Sequence, residues 1–161
     1  DFLVNILTVC SERGIHRAMD TTGHADTETV LSVAGHTDLF LFDLKHMDPE
    51  IHRQYTGVSN RKILSNLEAL AGYGSRIVIR IPLIPTFNDD VRNLEQTGLF
   101  VNRLPGVQNI HLLPFHDFQK TKYKKFNTSC NARDMVPPTR EQVSNARKKL
   151  EAFGLTVTIG G

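Results

Sequence analysis

Four times along this chain a helical pattern stops at a glycine, a short apolar segment follows, and polar residues close the unit. That order constrains the fold most, because strands alternating with helices imply a parallel sheet joined by right-handed crossovers. The first helical pattern carries Leu3, Ile6, Leu7 and Cys10 on one face and ends at Gly14. It leads into an apolar segment at 15–19 and then "DTTG" at 20–23. A second helix, about 26–35, precedes the strand "LFLF" at 39–42 and "DLKH" at 43–46. Asp48 and Pro49 suit the N-cap and first position of a short helical turn that Gly57 ends. A third helix over 60–71 aligns Ile63, Leu64, Leu67, Leu70 and Ala71, ahead of the strand stretch "RIVIRIPLIP" at 76–85. Asn88 suits the cap of a helix bearing Val91, Leu94 and Val101, which feeds "VQNIHLLPFH" at 107–116. Thr139 and Gln142 make a capping box for a last helix, and a final strand follows at 155–159.

At 161 residues the chain is one domain, short of the roughly 250 residues of a closed eightfold barrel. No G-x-G-x-x-G opens any of its helices, so a Rossmann-type sheet is the weaker arrangement. The expected fold class is α/β, a partial (open) parallel α/β barrel. Strands of such a sheet are covered on both faces, which accounts for the lack of alternation in "LFLF". The first helix starts at once, with no strand and no initiator methionine before it. The chain therefore reads as the middle of a longer protein.

Composition excludes several function classes. Hydrophobic residues at 40% and charged residues at 22% give an ordinary soluble balance. A net charge of +2 is too small to argue for a nucleic-acid or membrane partner. The densest basic run, "KTKYKK" at 120–125, is expected to be a solvated loop. The two cysteines, Cys10 and Cys130, form neither a disulfide framework nor a metal motif, so a reducing cytoplasm is the default location. Cys10 is expected to be a small core residue.

Ligands of parallel α/β proteins bind at the carboxyl ends of the strands. Those ends carry Asp20 to Gly23, Asp43 to His46, Pro85 to Asn88, and Phe115, His116 and Asp117. Arg80 lies inside its strand between Ile79 and Ile81, and Asp43 and Lys45, two apart, share a face. Each has a plainer explanation taken singly. Asp20 can begin a turn with Gly23, Asp43 and Lys45 can pair with each other, Arg80 can hold Asp20 or Asp43 inside the barrel, and His116 can be structural. Their joint placement at successive strand ends favours a site. Seven histidines are present but no H-x-H or H-E-x-x-H, and His46 and His52 are expected at the surface. A metal-dependent barrel isomerase or hydrolase, and a non-catalytic binding module, are the alternatives.

"DTTG", "LFLFDLKHMDPEIHRQYTGVSNRKILSNL", "IRIPLIPTFNDD", "LLPFH" and the closing "TIGG" run in order over nearly the whole chain. Together they resemble the glycyl-radical-enzyme activating proteins, the pyruvate formate-lyase activating enzyme family of the radical S-adenosylmethionine (SAM) superfamily. The resemblance implies a six-stranded partial barrel of which this chain supplies the third to sixth strands plus a C-terminal helix and strand. It implies reductive cleavage of SAM to a 5′-deoxyadenosyl radical, which takes hydrogen from a backbone glycine of a partner glycyl radical enzyme. It also implies an electron donor such as flavodoxin or ferredoxin. The family holds a 4Fe–4S cluster through C-x3-C-x2-C and contacts SAM through G-G-E, and these 161 residues contain neither. Residues 1–161 are thus expected to be the C-terminal portion of one radical SAM domain, without its cluster-binding portion and inactive alone. Carried over motif by motif, the SAM-binding residues are Asp20, Thr21, Asp43, Leu44, Lys45, Arg80 and His116. Asp20, Asp43 and the Thr21 carbonyl are further implied as ligands of a monovalent cation.

Overall fold

A computed structural model describes residues 2–116 and 136–160. The basic run at 120–125, Asp117 and Cys130 lie outside the described residues. The elements follow the order α1 (Phe2–Glu12), β1 (Ala18–Thr21), α2 (Thr27–Ala34), β2 (Leu39–Asp43), α3 (Pro49–Thr56), α4 (Arg61–Gly72) and β3 (Ile77–Leu83). After these come α5 (Val91–Asn102), β4 (Asn109–Pro114), α6 (Arg140–Glu151) and β5 (Thr156–Ile159).

All neighbouring strands pair in parallel, and their order in the five-stranded sheet is the order of the sequence. This decides between the two candidate architectures. A doubly wound sheet reverses its strand order and so places helices on both faces. Stepping always to the next strand by right-handed crossovers puts every helix on one face, which curves the sheet into an open barrel wall.

Burial follows from that arrangement. Phe40, Phe42, Ile77, Ile79, Ile81, Ile110, Leu112 and Val157 point to the helical side, into one core with Ile63, Leu67, Leu70, Leu94, Val101 and Leu150. Their neighbours along each strand face the concave side and stay partly open, so β2 alternates half-buried and buried residues. Expected burial of "LFLF" on both faces is therefore corrected. Leu39 and Leu41 line a concave wall that five strands leave half exposed.

Several local expectations hold. Asp48 caps α3, its Oδ1 accepting from the N–H groups of Glu50 (2.8 Å) and Ile51 (3.1 Å). Thr139 and Gln142 form the reciprocal capping box of α6. Others do not. The strand after Gly14 begins at Ala18 rather than 15, because Arg17 is turned to Asp38. Its backbone N–H (2.7 Å) and Nε (2.9 Å) donate to Asp38 Oδ2 and its Nη2 to Oδ1 (2.6 Å). That guanidinium holds the Asp38 carboxyl well below the usual carboxylate range. Of the expected apolar face of α1 only Leu7 is buried, while Ile6 is 47% exposed and Cys10 only half-buried. α1 packs beside α2.

Asn88 does not cap α5. Asp90 does, accepting from Asn93 N–H at 2.9 Å, and Asn88 is completely buried. His46 and His52 are also buried, at 4% and 3% exposure, not at the surface. His46 Nδ1 accepts from the Asp48 N–H (2.9 Å), and its ring lies 5.5 Å from that of Phe87. His52 Nδ1 lies 2.7 Å from the Val58 carbonyl. Local hydrogen bonds draw both rings inward. Among the described residues, no helix is long and apolar enough to cross a membrane.

Candidate functional site

The parallel register sets Asp43, Arg80, His111 and Thr158 side by side across β2, β3, β4 and β5. Side chains in register share a face, and this row lies on the concave side, opposite the buried Phe42, Ile79, Ile110 and Leu112. Asp20 stands on the same face of β1, in register with Leu41.

Arg80 joins the acids. Its Nε (3.0 Å) and Nη2 (2.8 Å) donate to Asp43 Oδ1, and the same Nη2 donates to Asp20 Oδ1 at 2.7 Å. Lys45 Nζ donates to the other Asp43 oxygen, Oδ2, at 3.0 Å. Two carboxylates and two cations thus close one neutral constellation at the carboxyl ends of β1–β3. Asp43 is 16% exposed and Asp20 61%, so the group grades from half-buried to open. Burial lowers the Arg80 pKa, but hydrogen bonds and charge from Asp43 and Asp20 outweigh it and raise the guanidinium above its ordinary value.

The loops behind this row have their own requirements. Thr21 Oγ1 accepts from the Gly23 N–H at 2.9 Å and turns the chain out of β1. Gly23 adopts φ +68°, and a Cβ there would collide with the Phe42 ring. Glycine is needed for both reasons. Beyond β3, Thr86 takes φ +66°, a costly conformation for a β-branched residue, and its N–H donates to Asp89 Oδ1 at 2.8 Å.

Asp20, Asp43, Lys45 and Arg80 are therefore brought together. Leu44 is not part of that group: its side chain is 2% exposed in the core, and its N–H extends the ladder to the Arg80 carbonyl at 2.9 Å. His116 stands beyond β4 and is exposed. His111, in register with Arg80, was missed from the sequence, although its place between Ile110 and Leu112 in a period of two carried the signal. Beside Lys45 opens a cavity of about 240 Å3, bordered by Thr22, His24, His52 and Val58. That is less than the roughly 300–1,000 Å3 of a complete small-molecule pocket.

No family model matches the chain. Among curated proteins, the trans-4-hydroxy-L-proline dehydratase activating enzyme of Clostridioides difficile is 37% identical over 162 residues, covering 100% of this chain and 54% of that protein. The pyruvate formate-lyase-activating enzyme of Clostridium pasteurianum is 34% identical over 155 residues, covering 95% of this chain and 62% of that protein. The chain spans about half the length of such relatives. Among solved structures, a domain of the pyruvate-formate lyase-activating enzyme from Bacteroides vulgatus matches with a TM-score of 0.85 and 37% identity, over 99% of this chain and 90% of that one. A radical SAM methyltransferase from Sphaerobacter thermophilus, 16% identical with a TM-score of 0.68 over 91% of this chain and 41% of that one, shares the fold. With matching fold and matching sequence over its whole length, the chain belongs to the glycyl-radical-enzyme activating enzymes of the radical SAM superfamily.

Proposed function

We propose that this chain is the SAM-cradling part of a glycyl-radical-enzyme activating enzyme. Its parent protein would act on a glycine of a partner glycyl radical enzyme, with electrons from a small donor such as flavodoxin or ferredoxin. The observation that carries the proposal is the convergence of Asp20, Asp43, Lys45 and Arg80 on the concave rim. Relatives named as activating enzymes of pyruvate formate-lyase and of two dehydratases support it.

The residues present fit SAM. The cofactor offers a carboxylate, an ammonium, a sulfonium and vicinal hydroxyls, so it needs cations and acceptors side by side. Lys45 and Arg80 serve the carboxylate, while Asp20 and Asp43 accept from the ammonium or the ribose hydroxyls through charge-assisted bonds. Bound beside a reduced 4Fe–4S cluster, SAM supplies the hydrogen-abstracting radical chemistry. The protein's part is binding and orientation. Because the four side chains already satisfy one another, binding exchanges ion pairs for ligand bonds and leaves few charges unmatched. Asp20, Asp43 and the Thr21 carbonyl would be the residues to hold a monovalent cation beside the cofactor. His116 would meet the nucleoside from beyond β4.

The donor set does not fit the cluster. Three close thiolates are needed, and the sequence has two cysteines 120 positions apart, Cys10 and Cys130. No step is assigned to a cluster on these residues, and the chain alone is expected to be inactive. The competing divalent-metal enzyme would need a ligand cluster, and none of three or more His, Cys, Asp or Glu groups occurs among the described residues.

Calorimetric titration of SAM into the parent protein tests the proposal. Asp43→Ala and Lys45→Ala should each weaken binding by about 1.5–3 kcal/mol, the worth of a hydrogen bond to a charged group. Unchanged affinity in both variants refutes the placement.

A further inference from the structure

Four asparagines, Asn60, Asn66, Asn88 and Asn93, are buried to 3% exposure or less. Buried amides are tolerated when their hydrogen-bonding groups are satisfied, and all four turn to the two rim loops. Asn66 Nδ2 donates to the carbonyls of Gly23 (2.7 Å) and Ala25 (2.8 Å), and its Oδ1 accepts from Thr27 Oγ1 at 2.6 Å. That fixes the loop after β1.

The loop after β2 is held at three successive peptide units. Asn88 Nδ2 donates to the Lys45 carbonyl at 2.9 Å. Asn60 Nδ2 donates to the carbonyls of His46 and Met47, both at 2.8 Å. Asn93 Oδ1 accepts from the Met47 N–H at 2.9 Å, and its Nδ2 donates to the Asn88 carbonyl at 3.0 Å.

Two details show that these amides serve the loop rather than their own elements. Asn60 occupies the N-cap of α4 yet makes no side-chain capping bond to that helix. Asn88 works where the sheet gives out. β2 and β3 are paired as far as Asp43 and Arg80, with Leu44 N–H donating to the Arg80 carbonyl. Pro82 has no N–H to carry the pairing further. Asn88 bridges the gap, donating to the carbonyls of both Lys45 and Pro82 (2.7 Å), while its Oδ1 accepts from the Ile84 N–H at 2.8 Å.

We propose that Asn60, Asn88 and Asn93 are the positioning residues of Lys45, setting its amine against Asp43 on the cofactor rim without touching the ligand themselves. The claim rests on the SAM reading above for its consequence, but the positioning itself is separable. A positioning residue acts through another group, so its effect should vanish when that group is removed, as a double-mutant cycle measures.

In the parent protein, Asn88→Ala should lower SAM affinity about tenfold, yet change nothing further in a Lys45→Ala background. Asn60→Ala should behave alike. Equal losses in both backgrounds overturn the proposal. Amide hydrogen exchange in the absence of SAM supplies the independent arm. Asn60→Ala and Asn93→Leu should speed exchange at residues 45–48 while β4 stays protected. Asn93→Asp keeps the acceptor for the Met47 N–H and should preserve that amide's protection. Should Asn88→Ala fail to fold, Asn60→Ala and Asn93→Leu decide the question. If the wild-type parent binds no SAM, the cofactor reading falls and exchange alone judges the positioning: unchanged protection at 45–48 overturns it, and selective loss upholds it.

Discussion

Arg80 grips Asp43 through two nitrogens across adjoining strands, Nε at 3.0 Å and Nη2 at 2.8 Å, while Lys45 takes the second carboxylate oxygen. Asp43 is 16% exposed, so its partners compensate a real desolvation cost. Arg80→Met leaves Asp43 with Lys45 alone and should lower stability by about 1.5–3 kcal/mol. Arg80→Lys keeps the charge but not the fork and should fall between. Urea unfolding at pH 7 gives the comparison. Equal midpoints for wild type and Arg80→Met would show that solvent screens the fork to nothing.

Gly23 is constrained twice, by its φ of +68° and by the Phe42 ring lying where a Cβ would go. Left-handed backbone costs an L-residue roughly 1–2 kcal/mol, and overpacking adds about 1–3 kcal/mol. Gly23→Ala is therefore expected to destabilise by about 2 kcal/mol or more in thermal or urea unfolding. A variant as stable as wild type would mean that Phe42 and the turn relax freely.

Burial pushes the His46 pKa down, outweighing the opposing pull of Asp90 and Asp48, while His52 adds to the lowering. Between the ordinary value near 6.5 and this lower value, the unfolded chain binds a proton that the folded chain refuses. The contribution is thus fully present above about pH 6.5 and lost as pH falls through that window. His46→Asn, whose side-chain oxygen takes the place of Nδ1 and retains an acceptor for the Asp48 N–H, should flatten the fall in stability as pH drops below about 6.5. Unfolding free energies measured across that range check it, and parallel profiles would contradict it. Asp38, held down by Arg17, acts separately, its contribution being lost below about pH 4.

Thr86 at φ +66° stores strain in the turn after β3. Its N–H bond to Asp89 belongs to the backbone and survives substitution. Thr86→Gly should stabilise by about 1 kcal/mol, the strain relieved less the added freedom of glycine when unfolded. A lowered melting temperature would show that the threonine side chain contributes more than the strain costs.

The parts legible in the sequence were those with a local cause. Asp43 and Lys45 share a face because they lie two apart at a strand end, and their ion pair follows. Thr139 and Gln142 form their capping box for the same kind of reason. What escaped depends on distant partners. Asn93 meets Met47 across 46 residues, and Asn66 meets Gly23 across 43, so neither amide announces its role. Asn88 sat where a helix cap would sit, two residues before the true cap Asp90. His46 and His52 follow a strand among charged neighbours, and the bonds that turn their rings inward go to backbone groups, the Asp48 N–H and the Val58 carbonyl, which every residue carries and no sequence pattern marks.

The spacing of Asn60 and Asn66 on α4 makes that helix a gauge between the two rim loops. Six residues separate the amides, roughly 9 Å along the axis at about 1.5 Å per residue. One secures the loop after β2 and the other the loop after β1. A single inserted or deleted residue between them would turn one amide by about 100° relative to the other. Asn60 and Asn66 could not then both reach their carbonyls. Variation in length among related chains should therefore gather in the connections and spare this segment of α4, although it forms no part of the rim.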